Sequence, residues 1–198
     1  MSMDRPFSQA CENNKAVILD VLQRYFADTD YVLEIGSGTG QHAVYFAEHL
    51  PHLYWQPADQ QEYIEGINSW LDWAQRDNIL PPQVLDVNQP WPVATTPAIF
   101  SANTVHIMSW QEVERFFTGI NHVLETGGIF CLYGPFNYEG KFTSESNANF
   151  EQWLKSRNPL SGIRDFEAVH SLAKEAGLSL LDDIAMPANN RCLVWQKQ

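Results

Sequence analysis

The sequence predicts an α/β fold of the Rossmann-like, doubly wound kind: a mostly parallel seven-stranded sheet, helices on both faces, and an antiparallel C-terminal hairpin. Three observations predict it. Short β-rich runs alternate with helical patterns along almost the whole chain. An apolar strand near the start, in VLEIGSGTGQHAVYFA (32–47), runs into closely spaced glycines and then an amphipathic pattern. The last two strand patterns are separated only by residues of MPANN and Arg191, too few for a crossover helix, so that pair must be antiparallel.

The elements follow in order. Residues 14–26 read as a helix with Ile18, Val21, Leu22 and Tyr25 on one face, and YVLEI (31–35) reads as a buried strand. A helix runs from about Gly40 to Leu50. The second strand, LYWQPAD (53–59), carries Pro57, which places it near an edge or shortens it. Helix 62–76 shows Ile64, Ile67, Leu71 and Ala74, and strands QVLDV (83–87) and AIFSANT (98–104) come next. Helix 110–125 aligns Val113, Phe116, Phe117, Ile120 and Leu124 and should stop at Gly127 and Gly128. Strand IFCLYG (129–134), a short helical pattern near 148–157 and helix 165–176 precede strands 178–186 and 192–197.

With 198 residues, one domain is expected, 1–198, including an N-terminal segment and helix over 1–30. The 44% of hydrophobic residues suffices for a core. Acidic residues number 24 against 12 basic ones, a net charge of −12, and no run of Lys and Arg offsets it. Nucleic acid and anionic membranes are therefore not expected partners. Cys11, Cys131 and Cys192 form no CxxC pair, which argues against a zinc site or disulfide framework and for a reducing cytoplasm. The opening MSMDRPFSQA has no apolar stretch of the signal-peptide kind, and no long apolar run suggests a membrane span.

The glycine passage carries the strongest functional signal. Glycine lets the backbone bend sharply and approach a ligand that a Cβ would block. A dinucleotide fingerprint, GxGxxG, needs a small residue where Gln41 stands; the spacing here is E-x-G-x-G-x-G, from Glu34 through Gly36, Gly38 and Gly40. Asp59 ends the second strand at the distance suited to a ribose-binding carboxylate, a reading favoured over an N-cap or turn role before helix 62–76. Asp86 lies in LDV, beside Val87.

The E-x-G-x-G-x-G pattern and the order of elements resemble the class I S-adenosylmethionine-dependent methyltransferases. ACENN, YWQPAD, NTVHI, YGPF, TSESNA, GIRD and MPANN together resemble the methyltransferase-like twenty-six family over residues 10–190. The resemblance implies S-adenosylmethionine as cofactor and no particular acceptor. It implies cofactor contacts from Glu34, Gly36, Ser37, Gly38 and Gly40, from Asp59 to the ribose, and from Asp86 and Val87 to the adenine.

Asn103 ends the fourth strand, in the cleft such a fold provides, and joins that cofactor set. His106 follows on the loop and could hold an acceptor or remove its proton; packing beside Trp110 is its plainer role. His42 reads as local structure. Residues 134–165 are polar and read as a lid or substrate-binding insertion. Tyr138, Asn147 and Arg164 there, with Tyr133 on the strand before it and Asn189 and Asn190 in the hairpin turn, are candidate substrate-binding residues. A small-molecule acceptor is expected ahead of a protein side chain, and no metal site is expected. A cofactor-sensing module without catalysis, or an NAD-dependent oxidoreductase, are the alternatives.

Overall fold

A computed structural model describes residues 5–198; residues 1–4 of the expected N-terminal segment lie outside the described residues. Helix α1 (Gln9–Tyr25) starts earlier than its apolar spacing suggests, because Ser8 caps it by accepting the Cys11 N–H at 3.4 Å. Its first turns are polar, so apolar periodicity appears only from Ile18 onward. Strand β1 (Tyr31–Ile35), α2 (Gln41–His49), β2 (Tyr54–Asp59), a 3-10 turn and α3 (Ile64–Ala74) follow. Strand β3 shrinks to Gln83–Val84, after which Asp86 bends the chain by accepting the Asn88 N–H at 2.8 Å.

Strand β4 (Thr96–Ala102) leads through a loop to α4 (Trp110–Val123), whose start carries a reciprocal cap between Ser109 and Glu112. Helix α4 ends before the glycines expected to stop it. Strand β5 (Leu124–Asn137) already includes Gly127 and Gly128 and runs past residue 134. Helix α5 (Glu145–Arg157), the two-residue β6 (Arg164–Asp165), α6 (Phe166–Glu175), β7 (Leu178–Met186) and β8 (Asn190–Lys197) complete the chain.

The main sheet runs β3-β2-β1-β4-β5-β8-β7, with β6 pairing beside the end of β5. Strands β3, β2, β1, β4 and β5 are parallel; β8 is antiparallel to both β5 and β7. The hairpin thus forms as expected, but its second strand lies inside the sheet and its first forms the edge. Pro57 is tolerated because β2 is covered on its outer side only by β3 and a single bridge from Trp55 to Ile79.

Alternation along β1 splits the core in two. Leu33 and Ile35 pack with Phe116, Phe117, Phe130 and Trp195 on the α4 and α6 face. Val32 packs with Phe46, Trp55, Phe100 and Val194 on the α1 and α2 face. Strand order reverses at β1, which has β2 on one side and β4 on the other. The carboxyl ends of β1 and β4 therefore flank the crevice in which such sheets bind ligands.

Candidate cofactor cleft

The turn after β1 is held from β2. Gly36 and Ser37 both donate their N–H to Ala58 O, at 2.9 and 3.2 Å, and Gly38 donates to Asp59 Oδ2 at 2.7 Å. Gly36 has φ +78°, and a Cβ there would lie 2.3 Å from Thr104 Cγ2, so the turn presses directly on the loop after β4. Gly38, at φ +56°, has nothing within 4 Å of its missing Cβ. Gly38 borders a cleft of ≈ 460 Å³, together with Ser37, Asp59, Leu85, Val87, Asn103 and Met108, among others.

Asp59 accepts from Gly38 with one oxygen and from Gln60 N with the other, at 2.7 Å. Burial raises its pKa, against the pull of those two N–H donors. A carboxylate offers about four lone-pair directions, so about two remain for a ligand. Asn103 adopts φ +58° and donates its N–H to Tyr133 O at 2.9 Å, which brings it to the cleft wall at the end of β4.

The other expected cofactor residues stand elsewhere. Glu34 lies beneath the turn, 2% exposed, where it accepts the Trp55 indole N–H at 3.0 Å. Burial pushes its pKa up to about 7. It supports the turn from below and does not border the cleft. Gly40 caps α2 against the backbone of Ile67. Asp86 shapes the turn after β3, while its neighbours Leu85 and Val87 border the cleft.

The structure adds residues that the sequence did not single out. Ser8, Ala10 and Cys11 bring the start of α1 to the cleft. Gln41 fastens that start: its Oε1 accepts the Ser8 N–H at 2.5 Å and its Nε2 donates to Glu12 at 2.9 Å. His42 also borders the cleft; it is buried, bonded to Asn14 Oδ1 at 2.7 Å, and its pKa is pulled down to about 4 by burial. The Ser8 cap was the available signal for this wall.

His106 lies just behind Asn103. Its ring meets Phe150 edge to face at 5.3 Å between centroids, and among the described residues its buried Nδ1 has no partner. A Cβ on Gly134 would sit 3.8 Å from that Nδ1 and 3.9 Å from Asn103 Oδ1, so both polar atoms converge on the bare face of this glycine. Burial, and then the charge of Arg164, lower the His106 pKa to about 4.

The expected substrate residues do not border the cleft. Tyr133 is buried behind it, and its contacts to Asn14 and Asn190 partly offset the burial that raises its pKa. Tyr138 donates to Asp183 Oδ2 at 2.8 Å. Asn147 Nδ2 bonds Thr143 and the carbonyl of Asn189, while Asn190 Nδ2 bonds Pro187 O within the hairpin turn. Arg164 is engaged by backbone carbonyls. These contacts tie α5 to the hairpin turn and β6 to the loop after β4. Among the described residues no cluster of three metal-binding side chains occurs, and no helix is long and apolar enough to cross a membrane.

A family model described as "Protein of unknown function (DUF938)" matches residues 5–197. Among solved structures, the S-adenosylmethionine-dependent methyltransferase SibL in its apo form is similar over 95% of this chain and 55% of that chain, at 19% identity and TM-score 0.79. An O-methyltransferase family protein from Burkholderia thailandensis is similar over 96% and 57%, at 13% identity and TM-score 0.80. Human N-acetylserotonin methyltransferase, in complex with S-adenosylmethionine, is similar over 96% and 53%, at 15% identity and TM-score 0.80. This chain spans little more than half the length of each. At such identities the likeness is one of fold, and the methyltransferase-type sheet is the fold they share.

Proposed function

This chain belongs to the family described as "Protein of unknown function (DUF938)", and we propose that it is an S-adenosylmethionine-dependent methyltransferase of a single domain, acting in the cytoplasm on a small-molecule acceptor. The observation that carries the reading is the turn after β1: Gly38 leaves an open cradle beside the Asp59 carboxylate, at the point where strand order reverses. The solved methyltransferases of the same fold and the finer resemblance to the methyltransferase-like twenty-six family support it.

The residues present fit such a cofactor. Asp59 would take ribose hydroxyls on its remaining lone pairs, Leu85 and Val87 would flank the base, and Asn103 would face the methionine end. When bound, the cofactor would supply a methyl group carried on a cationic sulfur. Of this chain's own groups, His106 Nδ1, which converges with Asn103 Oδ1 on Gly134, would receive a proton displaced from the acceptor where water does not. Burial keeps His106 neutral near pH 7 and at the same time makes it a weak base, so it would take a proton only as the acceptor loses it. Positioning of the acceptor supplies much of the remaining rate. A net charge of −12 favours small acceptors over nucleic acid.

Isothermal titration with S-adenosylmethionine, S-adenosylhomocysteine and NADH tests this. Binding of both sulfur nucleosides without NADH is expected; binding of NADH alone ends the reading. One observation favours a second reading, a cofactor sensor without catalysis: His106 Nδ1 is shut off from solvent. Labelled cofactor incubated with a metabolite extract separates the two, since a sensor leaves the label where it was.

A further inference from the structure

Four consecutive carbonyl groups on the loop between β4 and α4 are all taken by one short stretch of chain after α5. Arg164 Nε donates to Val105 O at 3.0 Å, Gly162 N to His106 O at 2.9 Å and Ser161 Oγ to Ile107 O at 2.9 Å; Arg164 Nη2 reaches Met108 O. The same Nη2 bonds Leu160 O at 3.0 Å, and the guanidinium lies 5.9 Å from the centre of the Trp110 ring, at the start of α4. The stretch is itself anchored twice. Glu151 of α5 accepts the Ile163 N–H at 2.5 Å, and Arg164 pairs with Phe136 as β6 joins β5.

The loop so braced carries much of one side of the cleft, through Asn103, Thr104, Ile107 and Met108, and it carries His106. Residues 103–109 are themselves neither helix nor strand. A planar guanidinium presents several donors in a fixed fork and can bridge carbonyls that a single ammonium cannot reach together.

We propose that Arg164 is a positioning residue: its fork, with Ser161 and Gly162, sets the loop that presents the cleft wall and His106 to cofactor and acceptor. The proposal rests on the reading of the cleft as a cofactor site, and it reassigns Arg164 from substrate contact to support. Removal of the fork leaves carbonyls of Val105 and Met108 without their donors, so the loop relaxes while the sheet beneath it stays intact.

The test uses the full chain and the variants Arg164→Gln, Arg164→Lys and Ser161→Ala. S-adenosylhomocysteine affinity is measured by calorimetry, and the His106 ring is followed by nitrogen-edited NMR without ligand. Arg164→Gln should weaken the nucleoside by about tenfold, one lost charge-assisted bond's worth, and move the His106 resonances. Arg164→Lys should recover part of both losses, and Ser161→Ala should move both slightly in the same direction.

A folded Arg164→Gln protein with affinity changed less than about twofold and an unmoved His106 spectrum overturns the proposal. So does a variant whose only defect is a lower melting temperature. If Arg164→Gln does not fold, unchanged affinity and spectrum in the other two variants overturn it equally. Wild-type protein that binds no nucleoside refutes the cofactor reading instead, and the His106 spectrum then decides the role of Arg164 alone.

Discussion

The carboxylate of Asp59 accepts the backbone N–H of Gly38 at 2.7 Å, so the last residue of β2 fixes the turn that follows β1. Its other oxygen holds Gln60 N at the same distance. Both bonds need an acceptor.

Asp59→Asn would turn an amide NH₂ toward one of these donors. Affinity for S-adenosylhomocysteine should fall by about 10- to 100-fold, equivalent to one or two charge-assisted bonds. Calorimetry reads this directly, and an affinity equal to wild type would remove Asp59 from the site.

Gly36 and Gly38 should fail differently. Gly36→Ala drives a Cβ to 2.3 Å from Thr104 Cγ2 in a left-handed conformation, so the fold should lose about 2–4 kcal/mol in urea unfolding. A Cβ at Gly38 meets no protein atom within 4 Å, so the fold of Gly38→Val should lose only about 1–2 kcal/mol from strain, while nucleoside binding disappears. A Gly38→Val protein that binds normally would show that the cradle faces no ligand.

Glu34 gives a pH signature. Burial raises its pKa to about 7, whereas an unfolded chain ionises it near 4.5. The folded state thus holds the extra proton between these values, and its stability falls as pH rises through that window. The loss amounts to roughly 3 kcal/mol, and Gln has no proton to lose. Glu34→Gln should therefore gain on wild type by that amount between pH 4.5 and pH 8 in urea titrations. A difference that stays constant with pH would contradict the burial of a titrating carboxyl.

His106→Ala should leave nucleoside affinity within about twofold of wild type. Transfer of label from the cofactor into a metabolite extract should drop by about 10²–10⁴-fold, the usual worth of a positioned base. Undiminished transfer would reduce His106 to a packing residue.

The order of elements and the glycine turn were legible because each rests on local signals: apolar period, helix stops, and the spacing of Glu34, Gly36 and Gly38. The position of Asp59 at the end of β2, beside the cleft, was legible from its spacing after Gly36. Strand alternation sends Glu34 to the same face as Val32, under the turn, where Trp55 donates to it. The intramolecular partners of the substrate candidates were not legible, because a polar stretch looks alike whether it faces ligand or chain. Asn147 and Arg164 found their partners in Asn189 and the loop carbonyls, 42 and 56–59 residues away. Gln41 read only as an obstacle to a dinucleotide turn, and its link to Ser8 spans 33 residues. Contacts of that range leave no periodic trace.

The placement of β8 between β5 and β7 bears on how the polypeptide is made. Val194 and Trp195 are fully buried, so the sheet stays incomplete until they have left the ribosome. During that interval β5 exposes a bare row of N–H and C=O groups, an invitation for two nascent copies to stick together. A stop codon placed before β8 should therefore yield aggregates in place of a shortened, folded chain.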